Sequence, residues 1–171
     1  MLDMPDTTTK LIDVGAVLRA RLPSLKHYPA VLVQFLIWCL RTLVNEDRIN
    51  QFLQKHGYLN GFDFIDQVFD ELQLDYLVRH DEIKNIPVTG RVLIVANHPL
   101  GGLDGLALLR LIGKTRRDVS IVVNELLCNI NSLNSIFLPV DAFNGKTRKA
   151  DLEQIVTALN QDRAVIIFPA G

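Results

Sequence analysis

Cysteine is scarce in this chain: Cys39 and Cys128 are the two among 171 residues, far apart and each in an apolar context. Neither a disulfide framework nor a paired-cysteine zinc site is built from them, and both read as reduced, buried core residues of a cytosolic protein. The four histidines, His27, His56, His80 and His98, form no ligand cluster, so no metal is expected. Charge of one sign is also lacking. Eighteen Lys and Arg against nineteen Asp and Glu leave a formal net charge of −1, which excludes a strongly basic nucleic-acid binder, and no zinc-finger or RNA-binding signature is present. No apolar run reaches the ~20 residues that span a bilayer. The longest helical candidate, AVLVQFLIWCL from Ala30 to Leu40, contains Gln34 and is bounded by Pro29 and Arg41. The start, MLDMPDTTTK, carries acids where a signal peptide carries bases followed by an apolar stretch. Internal repeats and low-complexity tracts are absent. Ser120, Ser132 and Ser135 lie in no Gly-x-Ser-x-Gly elbow, which weighs against a serine hydrolase.

What is present is apolar: 49% hydrophobic residues and a mean hydropathy of +0.20, enough to bury one core. Periodicity predicts helices over Leu11–Leu22, Pro29–Val44, Glu46–His56 and Gly61–Leu72, the last carrying the stripe FDFIDQVFDEL. Short extended runs follow at Leu74–Arg79, Val92–Ala96, Val119–Asn124, Ile136–Val140 and Ala164–Phe168, with helices over Gly105–Ile112 and Arg148–Gln161. The fold class expected is α/β: a mixed sheet flanked by helices (residues 74–171) after an N-terminal helical region (residues 1–73), together one structural domain. Ala30–Leu40 reads either as a buried helix or as one lying in a membrane interface, the second supported by Trp38, Arg41, Lys26 and Arg19. Lys114, Arg116 and Arg117 read as a solvated turn that can also meet anionic headgroups.

The chemistry concentrates in RVLIVANHPLGGLDG, Arg91 to Gly105. Val92–Ala96 is a continuous β-branched apolar run and reads as a strand buried on both faces, which delivers Asn97 and His98 to the carboxyl end of a sheet. Pro99 keeps His98 out of helical geometry, and Gly101 and Gly102 permit a tight reversal before Asp104 opens the next helix. Asp104 reads in two ways. It is a helix N-cap, or it folds back to fix the tautomer of His98, leaving the other ring nitrogen as a base for a hydroxyl or water. The twin glycines do not have Walker-loop spacing and no lysine follows.

ANHPLGGLDG resembles the first motif of the glycerolipid acyltransferase superfamily, the lysophospholipid and glycerol-phosphate acyltransferases, in which an Asn-His pair is followed by an Asp. Five residues separate His98 from Asp104 here, against four in most members, a spacing similar to the hemolysin-like branch linked to ornithine-lipid synthesis. SIFLPVDAF (Ser135–Phe143) is similar to that branch's second block and IIFPAG (Ile166–Gly171) to the block reading Phe-Pro-Glu-Gly elsewhere. The resemblance implies His98 and Asp104 as catalytic residues. It implies substrate-binding roles for Asn97, Gly101, Gly102, Asp141, Phe168, Pro169 and Gly171, with Lys146 and Arg148 as the nearest cations for an acceptor phosphate. Ala170 stands where other members place a glutamate, and Ala142 where they place an arginine, so the acceptor is not expected to bind in their manner.

The function implied is transfer of a fatty acyl group from acyl-CoA or acyl-carrier protein to the hydroxyl of a lysophospholipid or lyso-ornithine lipid. The acyl donor is a co-substrate, and no cofactor is implied. Peripheral contact at the inner face of the cytoplasmic membrane is expected, and no nucleic acid. Members of the family run further beyond the third block, so the chain reads as truncated at its carboxyl end. Two alternatives stay open: a hydrolase using the same His/Asp pair on water, and a non-catalytic membrane-surface or partner-binding module.

Overall fold

In the computed structural model, residues 12–140 and 149–169 are described. The chain divides into two compact units, one ending at Gly57 and the other beginning at Tyr58. The sequence reading put the fourth helix with the three before it; the observed division groups it with the sheet.

The first unit is helical: α1 (Val14–Arg21), a 3-10 turn (Pro23–His27), α2 (Ala30–Val44) and α3 (Glu46–His56). Asp13 caps α1 by accepting from the Ala16 amide at 3.1 Å, the usual reach of an N-cap carboxylate. The same oxygen, Oδ1, accepts from Arg41 Nη2 at 2.8 Å, and Arg41 Nε lies 3.2 Å from Oε2 of the buried Glu46. Glu46 also accepts from the Val14 amide, while Asn50 both accepts from Ile12 N and donates to Ile12 O at 2.8 Å. These bonds tie α1 to α2 and α3 without a large apolar core. Asn45 makes the turn between α2 and α3 in the left-handed conformation (φ 55°), which asparagine tolerates better than other side-chain-bearing residues. The apolar sequence of α2 is largely uncovered. Val31, Leu32, Phe35, Trp38 and Leu43 are exposed, and Ile37 is buried.

The second unit carries α4 (Phe62–Leu72), α5 (His80–Ile83), β1 (Val92–Val95), α6 (Gly102–Gly113), β2 (Val119–Asn124), β3 (Phe137–Val140), α7 (Lys149–Asn160) and β4 (Ala164–Ile167). The strands form one sheet in the order β1-β4-β2-β3, every pair parallel. Parallel neighbours require crossovers, which α6 supplies between β1 and β2, and the segment containing α7 between β3 and β4. Two 3-10 turns, Glu125–Asn129 and Asn131–Leu133, connect β2 to β3. The core is the β-branched centre of β2 and β4 (Val119, Ile121, Val123, Val165, Ile166), with Leu109 and Ile112 of α6 buried beside β2 and Phe64, Ile65 and Phe69 of α4 buried where α4 packs on α6. Gly113 closes α6 against α4, since a Cβ there would overlap the Phe62 ring.

Three expectations are corrected. Leu74–Arg79 is not a strand, so the sheet is parallel where a mixed one was expected. Asp75 accepts from the Tyr76 amide at 2.8 Å, Tyr76 packs edge-on to Phe69, and Leu77 is fully exposed, a local arrangement with no neighbouring strand. Among the described strands β1 lies at the sheet edge and is not buried on both faces: Leu93 is 46% and Val95 59% exposed. Cys39 and Cys128 are free but half-buried, and burial followed by the charge of Glu125 pushes the Cys128 thiol up.

Candidate active site

β1 and β4 run side by side in register, Val95 opposite Ile167, and the Ala96 amide still donates to Ile167 O at 3.2 Å. Beyond that bond both chains leave the sheet at the same carboxyl edge, one as Asn97-His98 and the other as Phe168-Pro169. The His98 ring meets the Phe168 ring with centroids 4.6 Å apart and planes at 64°, an edge-type aromatic contact. His98 and Phe168 are half-buried; Asn97, Pro99 and Pro169 are exposed.

The turn after His98 holds itself by three bonds. Gly101 N–H donates to His98 O at 2.9 Å, Asp104 N–H donates to Gly101 O at 3.2 Å, and Leu100 N–H donates to Asp104 Oδ2 at 2.7 Å. Gly101 caps α6 at φ 65°, where a side chain is strained. The helix therefore begins at Gly102, earlier than the expected Gly105, and Asp104 sits inside its first turn, neither opening nor N-capping it. From there the carboxylate reaches back to an amide ahead of the helix, as an acidic residue in a capping box does, and its charge faces the positive end of α6. No hydrogen bond joins it to the His98 ring. Of the two turn glycines, Gly101 has its amide engaged, while the first-turn amides of Gly102 and Leu103 have no intrahelical acceptor.

Thus His98, Asp104, Asn97, Gly101, Gly102, Phe168 and Pro169 lie on the two adjacent strand ends or the turn between β1 and α6. Asp141, Lys146, Arg148 and Gly171 lie outside the described residues. Among the described residues, no group of three or more His, Cys, Asp or Glu side chains is placed to hold a metal ion. A shallow depression of about 400 Å³ between α7 and β3, lined by Leu138, Glu153, Thr157 and Arg163 among others, contains none of the site residues.

The basic set after α6 is a solvated turn only at Lys114 and Arg117; Arg116 is buried. Arg116 is 5% exposed and donates to both Asp118 carboxylate oxygens at 2.7 Å, to Gly90 O and Asp162 O at 2.8 Å, and to Pro87 O at 3.2 Å. Gly90, Asp118 and Asp162 precede β1, β2 and β4, so Arg116 knots the amino ends of three strands, opposite the His98 edge. Arg117 lies over the Phe62 ring and Lys114 over the Tyr76 ring.

The protein is of the parallel α/β class, in which ligands commonly bind outside the carboxyl ends of the strands, and the histidine on its glycine-rich turn stands at that edge. The chain belongs to the acyltransferase family, whose sequence pattern it matches over residues 16–171. It is 34% identical over 169 residues to the lyso-glycine lipid O-acyltransferase of Bacteroides thetaiotaomicron, covering 98% of this chain and 60% of that protein. It is 32% identical over 170 residues to the protein of the same name from Phocaeicola vulgatus, covering 98% of this chain and 58% of that one. The chain thus spans about 60% of the length of the curated relatives it matches. No solved structure matches it.

Proposed function

We propose that the protein is a lipid O-acyltransferase that moves a fatty acyl group from a thioester donor, acyl-CoA or acyl-carrier protein, to the hydroxyl of a lyso-aminolipid. Lyso-glycine lipid is the first acceptor to consider, on the likeness to the two relatives so named. The observation that carries the reading is His98 on a glycine-rich turn at the carboxyl end of β1, in a chain that belongs to the acyltransferase family.

His98 takes the proton of the acceptor hydroxyl as its oxygen attacks the thioester carbonyl. The tetrahedral intermediate collapses to the ester, and the imidazolium returns the proton to the departing thiolate. Asp104 stabilises the imidazolium by its charge and holds the turn through Leu100 N–H. The Gly102 and Leu103 amides, at the positive end of α6, are the donors available for the oxyanion, a role the engaged Gly101 amide cannot take. Asn97 positions the acceptor. Lipid substrates bring the protein to the cytoplasmic face of a membrane, with the uncovered α2 as its contact. No described helix is long and apolar enough to cross one.

The test is transfer of labelled acyl groups from both donors to lyso-glycine lipid, lyso-ornithine lipid and a lysophospholipid. Removing a general base lowers the rate by about 10²- to 10⁴-fold, so His98→Ala should lose that much while its circular dichroism is unchanged. Equal turnover by His98→Ala, or release of free fatty acid with no acceptor present, overturns the reading.

A further inference from the structure

We infer that Phe168 is the residue that positions the His98 imidazole, and that residue 105 is a glycine so that Phe168 can do so. The inference rests on the acyl-transfer reading of His98.

His98 stands on a turn with little to hold its ring. Side chains added at Gly101 or Gly102 would meet nothing within 4 Å, and Asp104 has its Oδ2 committed to Leu100 N–H. The aromatic contact with Phe168 is the one ring-to-ring contact of His98 among the described residues. Phe168 is in turn fixed from two directions. Its backbone continues β4, whose register against β1 is locked through Ala96 N–H and Ile167 O. Its Cε2 lies toward α6, where a Cβ at Gly105 would stand 3.7 Å from it and 3.3 Å from Ile121 Cδ1. A methyl group there is tight, and a larger side chain must displace Phe168 or Ile121.

This arrangement suits a base that must also act as an acid. A hydrogen-bonded carboxylate occupies one ring nitrogen; an aromatic neighbour restricts ring rotation and occupies neither. Both nitrogens stay open toward the acceptor hydroxyl and the departing thiolate, and orientation is supplied by packing alone. The Phe of the IIFPAG segment then has a role in catalysis without touching substrate.

The experiment uses the full protein carrying this sequence, with Phe168→Leu, Phe168→Tyr, Gly105→Leu and His98→Ala. Two readouts are taken: steady-state acyl transfer, and the carbon-bound imidazole proton resonances of His98, assigned by their absence in His98→Ala. Phe168→Leu and Gly105→Leu should lower kcat about tenfold with KM for donor and acceptor little changed, and Phe168→Tyr, which keeps a ring, should restore most of it. In Phe168→Leu the His98 resonances should lose their ring-current displacement. A loss confined to KM, full activity in Phe168→Leu, or resonances that do not move overturns the positioning role. If the resonances respond as expected but no variant shows His98-dependent transfer, the packing stands and the acyl-transfer reading fails, taking the catalytic consequence with it.

Discussion

Arg116 shows how far a residue's role can lie from its neighbourhood in sequence. Beside Lys114 and Arg117 it reads as part of a solvated basic turn, because three of its five acceptors are backbone carbonyls brought from residues 87, 90 and 162 by the fold. The bidentate bond to Asp118, two residues on, is the one part that sequence spacing offers. A lysine ammonium has three donors and no fork, so Arg116→Lys should destabilise the second unit by about 1–3 kcal/mol, read as a lowered midpoint in urea. Asp118 adds a pH dependence with a definite sign. Its bond to Arg116 holds the carboxyl below its ordinary value near 3.8, so the folded state binds its proton less readily than the unfolded chain does. The resulting stability is fully present above that ordinary value and is lost as pH falls below about 4, through the lowered one. Asp118→Asn should therefore flatten the fall in melting temperature on the acid side, and an unaltered acid limb would refute the linkage. His98 is the opposite case: strand, Pro99 and the glycines put it at the carboxyl end of the strand from sequence alone, yet its packing against Phe168, seventy residues on, lay outside any local pattern.

At the scale of elements, helices were legible wherever apolar residues recur with helical period. α3 runs over the expected Glu46–His56, and α2 and α4 start one residue late. The strands were legible as short β-branched runs, but their parallel order was not, since pairing is set by crossovers of many residues. Leu74–Arg79 mimics a strand through its apolar alternation and fails for want of a neighbour. Periodicity also could not decide whether α2 is buried. Its most apolar face is the uncovered one, with Phe35 and Trp38 stacked at 6.0 Å and about 60% exposed each. Lys26 in the preceding turn and Arg19 in α1 are exposed cations near it in sequence, whereas Arg41 is engaged by Asp13 and Glu46. An apolar, aromatic surface flanked by cations suits an anionic bilayer interface. Replacing Phe35 and Trp38 together with serine removes roughly 2 kcal/mol of apolar transfer, about a thirtyfold loss in partition to phosphatidylglycerol-containing vesicles. Cosedimentation measures it, with unchanged helicity as the control; binding that survives the double change would place the membrane contact elsewhere.

At the scale of the whole molecule, the two units hold together by different physics. The unit from Tyr58 closes an apolar core of its own: β2 and β4 are buried, α4 and α6 are joined by Arg110 bonding Asp66 at 2.7 Å and lying over Phe69, and Arg116 ties the strand ends. The unit ending at Gly57 is held by the Asp13, Arg41, Glu46 and Asn50 bonds and turns most of its apolar area outward. A unit with its own core can fold alone, whereas one with exposed apolar helices gains its covering from outside. Deleting the residues before Tyr58 should therefore leave cooperative thermal unfolding and the His98 ring-current displacement in place while abolishing vesicle binding. Calorimetry, the imidazole resonances and cosedimentation of the same deletion variant decide the matter together. Loss of cooperative unfolding would show that the helices complete the sheet unit's core, and retained vesicle binding would move the membrane surface to the sheet unit, where Leu93, Val95, Leu100 and Leu103 are the exposed apolar residues nearest in sequence to His98.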